Sequence, residues 1–280
     1  MILVTGGKGM VGSYLREVYD KKELFLTDLE ELNICDQEQV FSVIEKVRPE
    51  GVVHLAAETN VDKCEIEVDH AYRVNVLGTY FLALACQKYN LEMTYLSTGG
   101  VFDGQKTEPY TEFDIPNPLS VYGQTKLEGE NVVKSLLDKF FIIRAGWMIG
   151  GGKKDIKFVG KIVQLMREKE ELLIVNDRFG TITYAKELVL NMKELLKTKF
   201  YGTYHLANER VCSRYDVALE IAKILEKDIK IKPISSAAFP LAAPRARSEA
   251  IKNYKLELMG LNKMRPWKEA LKDYLKEICS

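Results

Sequence analysis

The sequence predicts an α/β fold: a doubly wound parallel sheet with a second, smaller C-terminal domain. Three observations carry it. The chain opens on an apolar run, Ile2-Leu3-Val4, that meets a glycine-rich turn and then a stretch of helical spacing. Apolar runs and helical patterns then alternate as far as Arg144, as in a sheet wound by helices on both faces. One run, Gly51-Val52-Val53-His54-Leu55-Ala56-Ala57, is too uniformly apolar to have a wet face.

The elements follow in order. Met10 to Asp20 sets Val11, Leu15, Val18 and Tyr19 on one helical face, which places Thr5-Gly6-Gly7-Lys8-Gly9-Met10-Val11-Gly12 on a strand-to-helix turn. Leu24-Phe25-Leu26-Thr27 reads as the second strand and ends at Asp28. Asp36 caps a helix through roughly Arg48, which Pro49 stops. After the Gly51 strand, in which His54 belongs to the packed sheet, a long helical stretch runs from Asp69 to Asn90. Glu92 to Ser97 is a strand, Gly99 to Leu119 a loop, and a helix begins at Tyr122 and continues past Glu130. Phe140 to Arg144 is the next strand.

Beyond Trp147 the alternation breaks. Gly150-Gly151-Gly152 is a hinge or loop, followed by helices near 155–169 and 183–197, a strand near 202–208 and a helix over 215–226. The last helix, 266–278, is amphipathic through Trp267, Ala270, Leu271, Tyr274, Leu275 and Ile278, and packs on the body or on a partner. The expected division is a dinucleotide-binding domain over 1–146, to which the chain returns around 178–208, and a smaller domain from 147–177 and 209–280.

Bulk properties exclude several classes. With 40 Lys and Arg against 40 Asp and Glu, the net charge is zero and gives no field for nucleic acid or an acidic membrane. No apolar run nears the ~18 residues of a membrane span, and a strand starting at residue 2 leaves no space for a signal peptide. Cys35, Cys64, Cys86, Cys212 and Cys279 are odd in number and scattered, against a disulfide framework or zinc site, and the three histidines are far apart. A cytoplasmic protein with reduced thiols and no metal is expected.

The chemistry-bearing residues cluster at strand ends. Glycines on a strand-to-helix turn allow the bend, let backbone approach a pyrophosphate and let helix pack on strand; both Gly7-x-Gly9-x-x-Gly12 and Gly6-x-x-Gly9-x-x-Gly12 fit. The pyrophosphate rests on the helix N-terminus. Asp28 can accept from adenosine ribose hydroxyls and repels a 2′-phosphate, whereas Lys8 could reach that phosphate; NADH is favoured slightly, with NADPH open. The small pair Ala56-Ala57 lets a cofactor lie close above the sheet. Asn75 is either a hydrogen-bonded structural residue or a backbone-anchoring part of a proton relay. Ser97-Thr98 arrives at the edge where such folds hold ligands. Tyr122 and Lys126, four apart, share a helical face, and an ammonium there lowers the phenol pKa from ~10 for general acid–base work. Arg178, Arg245 and Arg247 are candidates for a diphosphate.

The set Thr5-Gly6-x-x-Gly9-x-x-Gly12, Asn75-Val76-x-Gly78-Thr79, Ser97-Thr98 and Tyr122-x-x-x-Lys126 resembles the extended short-chain dehydrogenase/reductase superfamily. More narrowly, Ala56 to Glu65, Val101-Phe102-Asp103-Gly104, Leu119 to Glu130 and Asn176-Asp177-Arg178-Phe179-Gly180 resemble the dTDP-4-dehydrorhamnose reductase family, over nearly the whole chain. The resemblance implies a Rossmann domain with a small substrate domain, and reduction of a nucleotide-linked 4-keto-6-deoxy sugar by NADH or NADPH, with a homodimer open. Tyr122 would protonate the carbonyl oxygen, Lys126 lower its pKa and bind the nicotinamide ribose, Thr98 hydrogen-bond the carbonyl, and Asn75 hold a water. Gly6, Gly9, Met10, Val11 and Gly12 would cradle the pyrophosphate, Asp28 the ribose, and Ala56-Ala57 the inner cofactor. Phe102, Trp147 and Arg245 would line the sugar-nucleotide pocket.

Departures from the family pattern fall on the substrate side. Gly99 stands where an acid usually follows the active-site Thr, Ile182 replaces a usual Pro, Ala246 breaks the Arg-Pro after Arg245, and Glu249 occupies a usual Ser position. Glu30 to Asp36 also resembles GDP-fucose synthase, but Gly100 stands where that family has its Cys, which implies reduction without epimerisation. Val101 to Gly104 and Asp114-Ile115-Pro116-x-Pro118-Leu119 also resemble the regulatory β-subunit of methionine adenosyltransferase, a binding protein of the same fold.

Overall fold

The computed structural model describes residues 1–152 and 155–279. Its first half alternates β1 (Ile2–Thr5), α1 (Met10–Val18), β2 (Leu24–Thr27), α2 (Gln37–Val47), β3 (Gly51–His54), α3 (Val61–Ile66), α4 (Val68–Tyr72), α5 (Gly78–Tyr89), β4 (Glu92–Thr98), α6 (Val121–Leu136) and β5 (Phe140–Ala145). The second half runs β6 (Trp147–Ile149), α7 (Phe158–Glu168), β7 (Glu171–Val175), β8 (Phe179–Gly180), β9 (Ile182–Tyr184), α8 (Ala185–Thr198) and β10 (Gly202–Leu206). It closes with β11 (Cys212–Ser213), α9 (Arg214–Ile224), β12 (Lys230–Ile234), β13 (Ser248–Glu249), α10 (Tyr254–Leu258) and α11 (Trp267–Cys279).

Six strands pair in parallel in the order β10-β5-β4-β3-β1-β2. The chain leaves β1 toward β2 on one side and returns to β3 on the other, so the strand order reverses between β1 and β3. Doubly wound folds hold ligands at the carboxyl ends of such a pair. One face packs on α2, α5 and α6 through Val40, Ile44, Leu82 and Val133. The other packs on α1, α8 and α11 through Leu15, Leu188 and Leu271. Covered on both sides, β3 is buried at every position. His54 fits there because its ring nitrogens lie 2.7 Å from Thr5 Oγ1 and 3.1 Å from Thr79 Oγ1. Burial holds its pKa down to about 3, so it serves the sheet as a neutral ring.

Smaller pairings follow the main sheet: β6 with β9, β7 with β12, and β8 between β11 and β13. The first of them starts two residues after β5, which carries the second half of the chain over the strand ends.

Three local differences from the sequence-based expectation have physical causes. The stretch 69–90 is α4, a π-helical turn over Arg73–Leu77 and α5. The widened turn sets Asn75 toward Glu58 and Thr125, and Gly78 lets α5 press on Ile34, whose Cδ1 would lie 2.7 Å from a Cβ there. The helix expected from 183 starts at Ala185, since Ile182–Tyr184 pairs with Trp147–Ile149. Strands β7 and β12 were not expected, because the alternating Lys-Ile-Lys-Pro-Ile of β12 carries as much charge as apolar surface.

Helix α6 lies close on β4 because position 129 is glycine. A Cβ there would sit 2.2 Å from Tyr95 Oη and 3.1 Å from the Asn75 carbonyl oxygen. Alanine gains ~1 kcal/mol of helix propensity, but overpacking a fixed core costs ~1–3 kcal/mol, and Tyr95 is fully buried. Gly129→Ala is therefore expected to lower stability, read as a lower urea midpoint with unchanged slope.

Candidate active site

A cavity of about 1200 Å³ opens at the β1/β3 switch point and extends to the 236–249 segment. Pockets for one small ligand usually span ~300–1,000 Å³, so the space suits two ligands placed end to end.

The glycine turn forms its first wall. Gly6 has φ +70°, and a Cβ there would lie 2.7 Å from Ala56 N, so β1 and β3 diverge around a residue that must be glycine. Gly9 is the N-cap of α1 and supplies no side-chain cap, and the first turn holds no acid. A Cβ on Gly12 would sit 2.5 Å from Gly7 O. Gly7 instead donates its N–H to Thr27 O at 2.8 Å, with φ outside the left-handed region. A Cβ on Gly7 would also crowd Leu26 Cβ at 3.0 Å, so glycines of both registers are sterically constrained, and Gly6 is set apart by its positive φ. The uncapped N–H groups of α1 are the donors an anionic pyrophosphate needs.

Asp28 lines the cavity at the end of β2, where its carboxylate accepts from Lys8 N and Leu29 N, both at 2.9 Å. The Lys8 ammonium is drawn to Glu30 and Glu31, at 2.5 and 3.2 Å. Ala56 and Ala57 line the wall after β3.

At the end of β4, Thr98 faces the start of α6. Ser120 caps that helix by accepting from Gly123 N at 3.2 Å, and Gly123 permits the contact with the 98–101 turn, since a Cβ there would lie 2.3 Å from Gly100 O. Tyr122 and Lys126, one turn apart, both line the cavity together with Thr98. Burial raises the Tyr122 phenol above its ordinary pKa; the Thr98 hydroxyl opposes this, and Cys64 and the Glu249 charge add to it. The lowering expected from Lys126 is not found: desolvation moves the phenol upward instead. The Lys126 ammonium sits 4.1 Å above the Tyr95 ring, and burial brings its pKa down to about 7 against the pull of Glu130.

Other predicted residues divide. Trp147, Arg178 and Arg245 line the cavity. Arg178 donates to Arg245 O at 2.8 Å, and Arg245 pairs with Asp62 at 2.8 Å. Arg247 is exposed and does not line it. Phe102 must be corrected: it is 1% exposed and stacks on Tyr110 at 4.2 Å, in an apolar cluster away from the cavity. Of the two readings of Asn75, its contacts fit the hydrogen-bonded structural one, and a place in the catalytic set is corrected. Its side-chain oxygen accepts from Glu58 N at 2.9 Å, its amide donates to Glu58 O at 3.1 Å and Thr125 Oγ1 at 3.0 Å, and it does not line the cavity. Its amide is thus committed to tying the chain after β3 to α6.

Arg73, Lys157 and Arg214 are cavity cations that escaped sequence reasoning. Arg214, the first residue of α9, stacks its guanidinium 3.8 Å over Trp147 and 4.8 Å over Phe158. Burial lowers its pKa to about 10, while the Glu249 charge opposes this. Lys157 also lines the cavity, its pKa lowered by burial. The capping box Ser213-x-x-Asp216 marked the start of α9, but no local pattern shows where its first side chain turns.

A glycine-turn dinucleotide site beside a Thr-Tyr-Lys cluster, both at strand ends of one parallel sheet, defines an NAD(P)-dependent oxidoreductase of the short-chain class. The chain belongs to the family described as RmlD substrate binding domain, whose model matches residues 1–280. It is 32% identical to a dTDP-4-dehydrorhamnose reductase of Aggregatibacter actinomycetemcomitans, over 97% of each chain. It is similar to the crystal structure of a Clostridium acetobutylicum dTDP-4-dehydrorhamnose reductase, with TM-score 0.96 and 37% identity over 100% of this chain and 99% of that one. A Bacillus anthracis dTDP-4-dehydrorhamnose reductase in complex with NADP matches with TM-score 0.94 and 34% identity, over 99% and 98%.

The depressed Lys126 pKa has a consequence for stability. The folded value is about 7 against an ordinary 10.5, so between those limits the unfolded chain binds the extra proton and stability rises with pH. Below about 7 both states are protonated and the full penalty of burying the charge is present. Lys126→Met should remove this dependence. The wild-type minus variant difference in unfolding free energy, measured by urea titration, should climb from pH 7 toward 10.

Proposed function

We propose that the chain reduces the C4 ketone of a nucleotide-linked 4-keto-6-deoxy sugar, dTDP-linked as in its named relatives, with NAD(P)H as reductant. The observation that carries this is the meeting of Thr98, Tyr122 and Lys126 in one cavity with the glycine turn. The cofactor supplies the hydride. The residues fit it: Gly6, Gly9, Met10 and Val11 line the cavity where the uncapped end of α1 opens, which suits the pyrophosphate, while Gly12 packs on Gly7 and does not line it. Asp28 would hold the adenosine ribose, Ala56 and Ala57 the inner part, and Lys126 the nicotinamide ribose.

Tyr122, kept protonated by burial, donates its proton to the ketone oxygen as negative charge develops there. Thr98 hydrogen-bonds the same oxygen, and the ammonium form of Lys126 stabilises the phenolate left behind. Asn75 acts at one remove, by holding α6 against the chain after β3. Trp147, covered by Gly180 and Arg214 on its faces, offers its apolar ring edge to the sugar nucleotide, and Arg178, Arg214, Arg245 and Lys157 offer positive charge for its diphosphate. Three acids, Asp28, Glu30 and Glu31, face the single Lys8 beside the adenosine ribose site, which favours NADH over NADPH by repelling a 2′-phosphate. A cytoplasmic setting and a homodimer belong to the same proposal.

With dTDP-4-dehydrorhamnose as substrate, the purified protein should oxidise NADH with a higher kcat/KM than NADPH. Tyr122→Phe should cut kcat by ~10²–10⁴-fold with NADH affinity retained in calorimetry. Substantial residual turnover would remove Tyr122 from the donor role; no turnover on any keto-sugar nucleotide, with cofactor still bound, would favour a regulatory subunit. Separately, Arg214→Leu should raise KM for the sugar nucleotide about tenfold or more, as for loss of a charged hydrogen bond, and leave the cofactor KM unchanged.

A further inference from the structure

Glu249 ends the short strand β13, which pairs in parallel with β8 and sets Glu249 opposite Gly180. Its Oε2 accepts the Trp147 indole N–H at 2.8 Å. Gly180 makes room for that indole, since a Cβ there would lie 2.5 Å from the ring. The other face of the arrangement is closed by Arg214, 3.8 Å over the ring. Thus one carboxylate oxygen is committed and the side chain is held. The second oxygen, Oε1, accepts no hydrogen bond among the described residues. It lies 3.9 Å from the position of a Cβ on Gly100, a point that is itself 3.4 Å from Thr98 Oγ1. Thr98, Gly100, Tyr122, Trp147 and Glu249 line one cavity.

Position 99 explains why the carboxylate comes from so far along the chain. A Cβ on Gly99 would press to 3.0 Å from the Glu249 carbonyl oxygen and 3.2 Å from Ile251 Cγ2. The segment carrying Glu249 therefore approaches the turn most easily when 99 is bare.

We propose that Glu249 is a specificity-determining residue, whose Oε1 accepts a hydrogen bond from the sugar-ring hydroxyl next to the reacting ketone. The proposal rests on the reductase function above. A fixed carboxylate beside Thr98 accepts but does not donate, so it selects a hydroxyl at that carbon and disfavours a deoxy centre, which would leave the charge unpaired.

The experiment compares a dTDP-4-keto-6-deoxy sugar with its analogue lacking the hydroxyl adjacent to the ketone, in wild type, Glu249→Gln and Glu249→Ala. Wild type is expected to prefer the hydroxylated substrate by about 10- to 100-fold in kcat/KM. Glu249→Gln, which keeps an amide oxygen for the indole, should lose most of that preference, chiefly through KM, with NADH affinity unchanged. Equal preference in wild type and Glu249→Gln, with a defect only in Glu249→Ala, would mean that Glu249 merely holds Trp147 and would overturn the proposal. Calorimetric binding of the two compounds reads the same preference without turnover. Absent turnover with the preference intact and dependent on Glu249 sinks the reductase function alone; turnover without that dependence sinks this inference alone.

Discussion

The buried carboxylate of Glu130 is the knot on which the site depends. It is fully enclosed and accepts Arg144 Nε and Nη2 at 2.8 and 2.7 Å, Ser97 Oγ at 2.7 Å and Lys134 Nζ at 3.2 Å. These contacts join α6 to β4 and β5 at the residues next to Thr98 and Ala145. Removing one partner of such a pair typically costs ~3–5 kcal/mol, because it strands a charge in low dielectric. With every donor present, the pair instead fixes the register of α6 on the sheet, and with it the placement of Tyr122 and Lys126.

The same knot explains side chains that have no direct part in chemistry. The Arg144 guanidinium lies 5.2 Å over the Phe102 ring, and its charge together with burial keeps His205 neutral, at a pKa of about 3. Phe102 is therefore the apolar cover of a buried ion pair, which is why it is turned from the cavity. Glu130 also pulls the Lys126 pKa upward, against a larger desolvation effect. One buried negative charge thus anchors the catalytic helix and keeps its lysine close to neutral titration.

Desolvation sets the chemistry of the pair on α6. Partial burial strengthens the hold of the Tyr122 phenol on its proton, and the lysine poised near 7 can exchange one. Neighbouring groups modulate this in opposite senses: the Glu249 charge favours the protonated phenol, and the Thr98 hydroxyl the phenolate. On the substrate side the indole of Trp147 lies between Glu249 and Arg214, so that an aromatic wall, an acceptor and a cation form one rigid group.

Much of this was legible in the chain alone. The glycine turn, the uniformly apolar Gly51 run and the four-residue spacing of Tyr122 and Lys126 are local patterns, and local sterics and periodicity largely decide what they form. The strand-ending Asp28, Thr98 and Ala56-Ala57 follow from the same alternation, because a parallel sheet sends all such ends to one edge. What periodicity does not encode is the direction of a side chain relative to residues a hundred positions away. Tertiary packing alone turned Phe102 inward, spent the Asn75 amide on Glu58 and Thr125, swung Arg214 onto Trp147 and brought Glu249 beside Thr98. Burial, which no sequence spacing measures, likewise decided that Tyr122 holds its proton and Lys126 yields its own near neutrality.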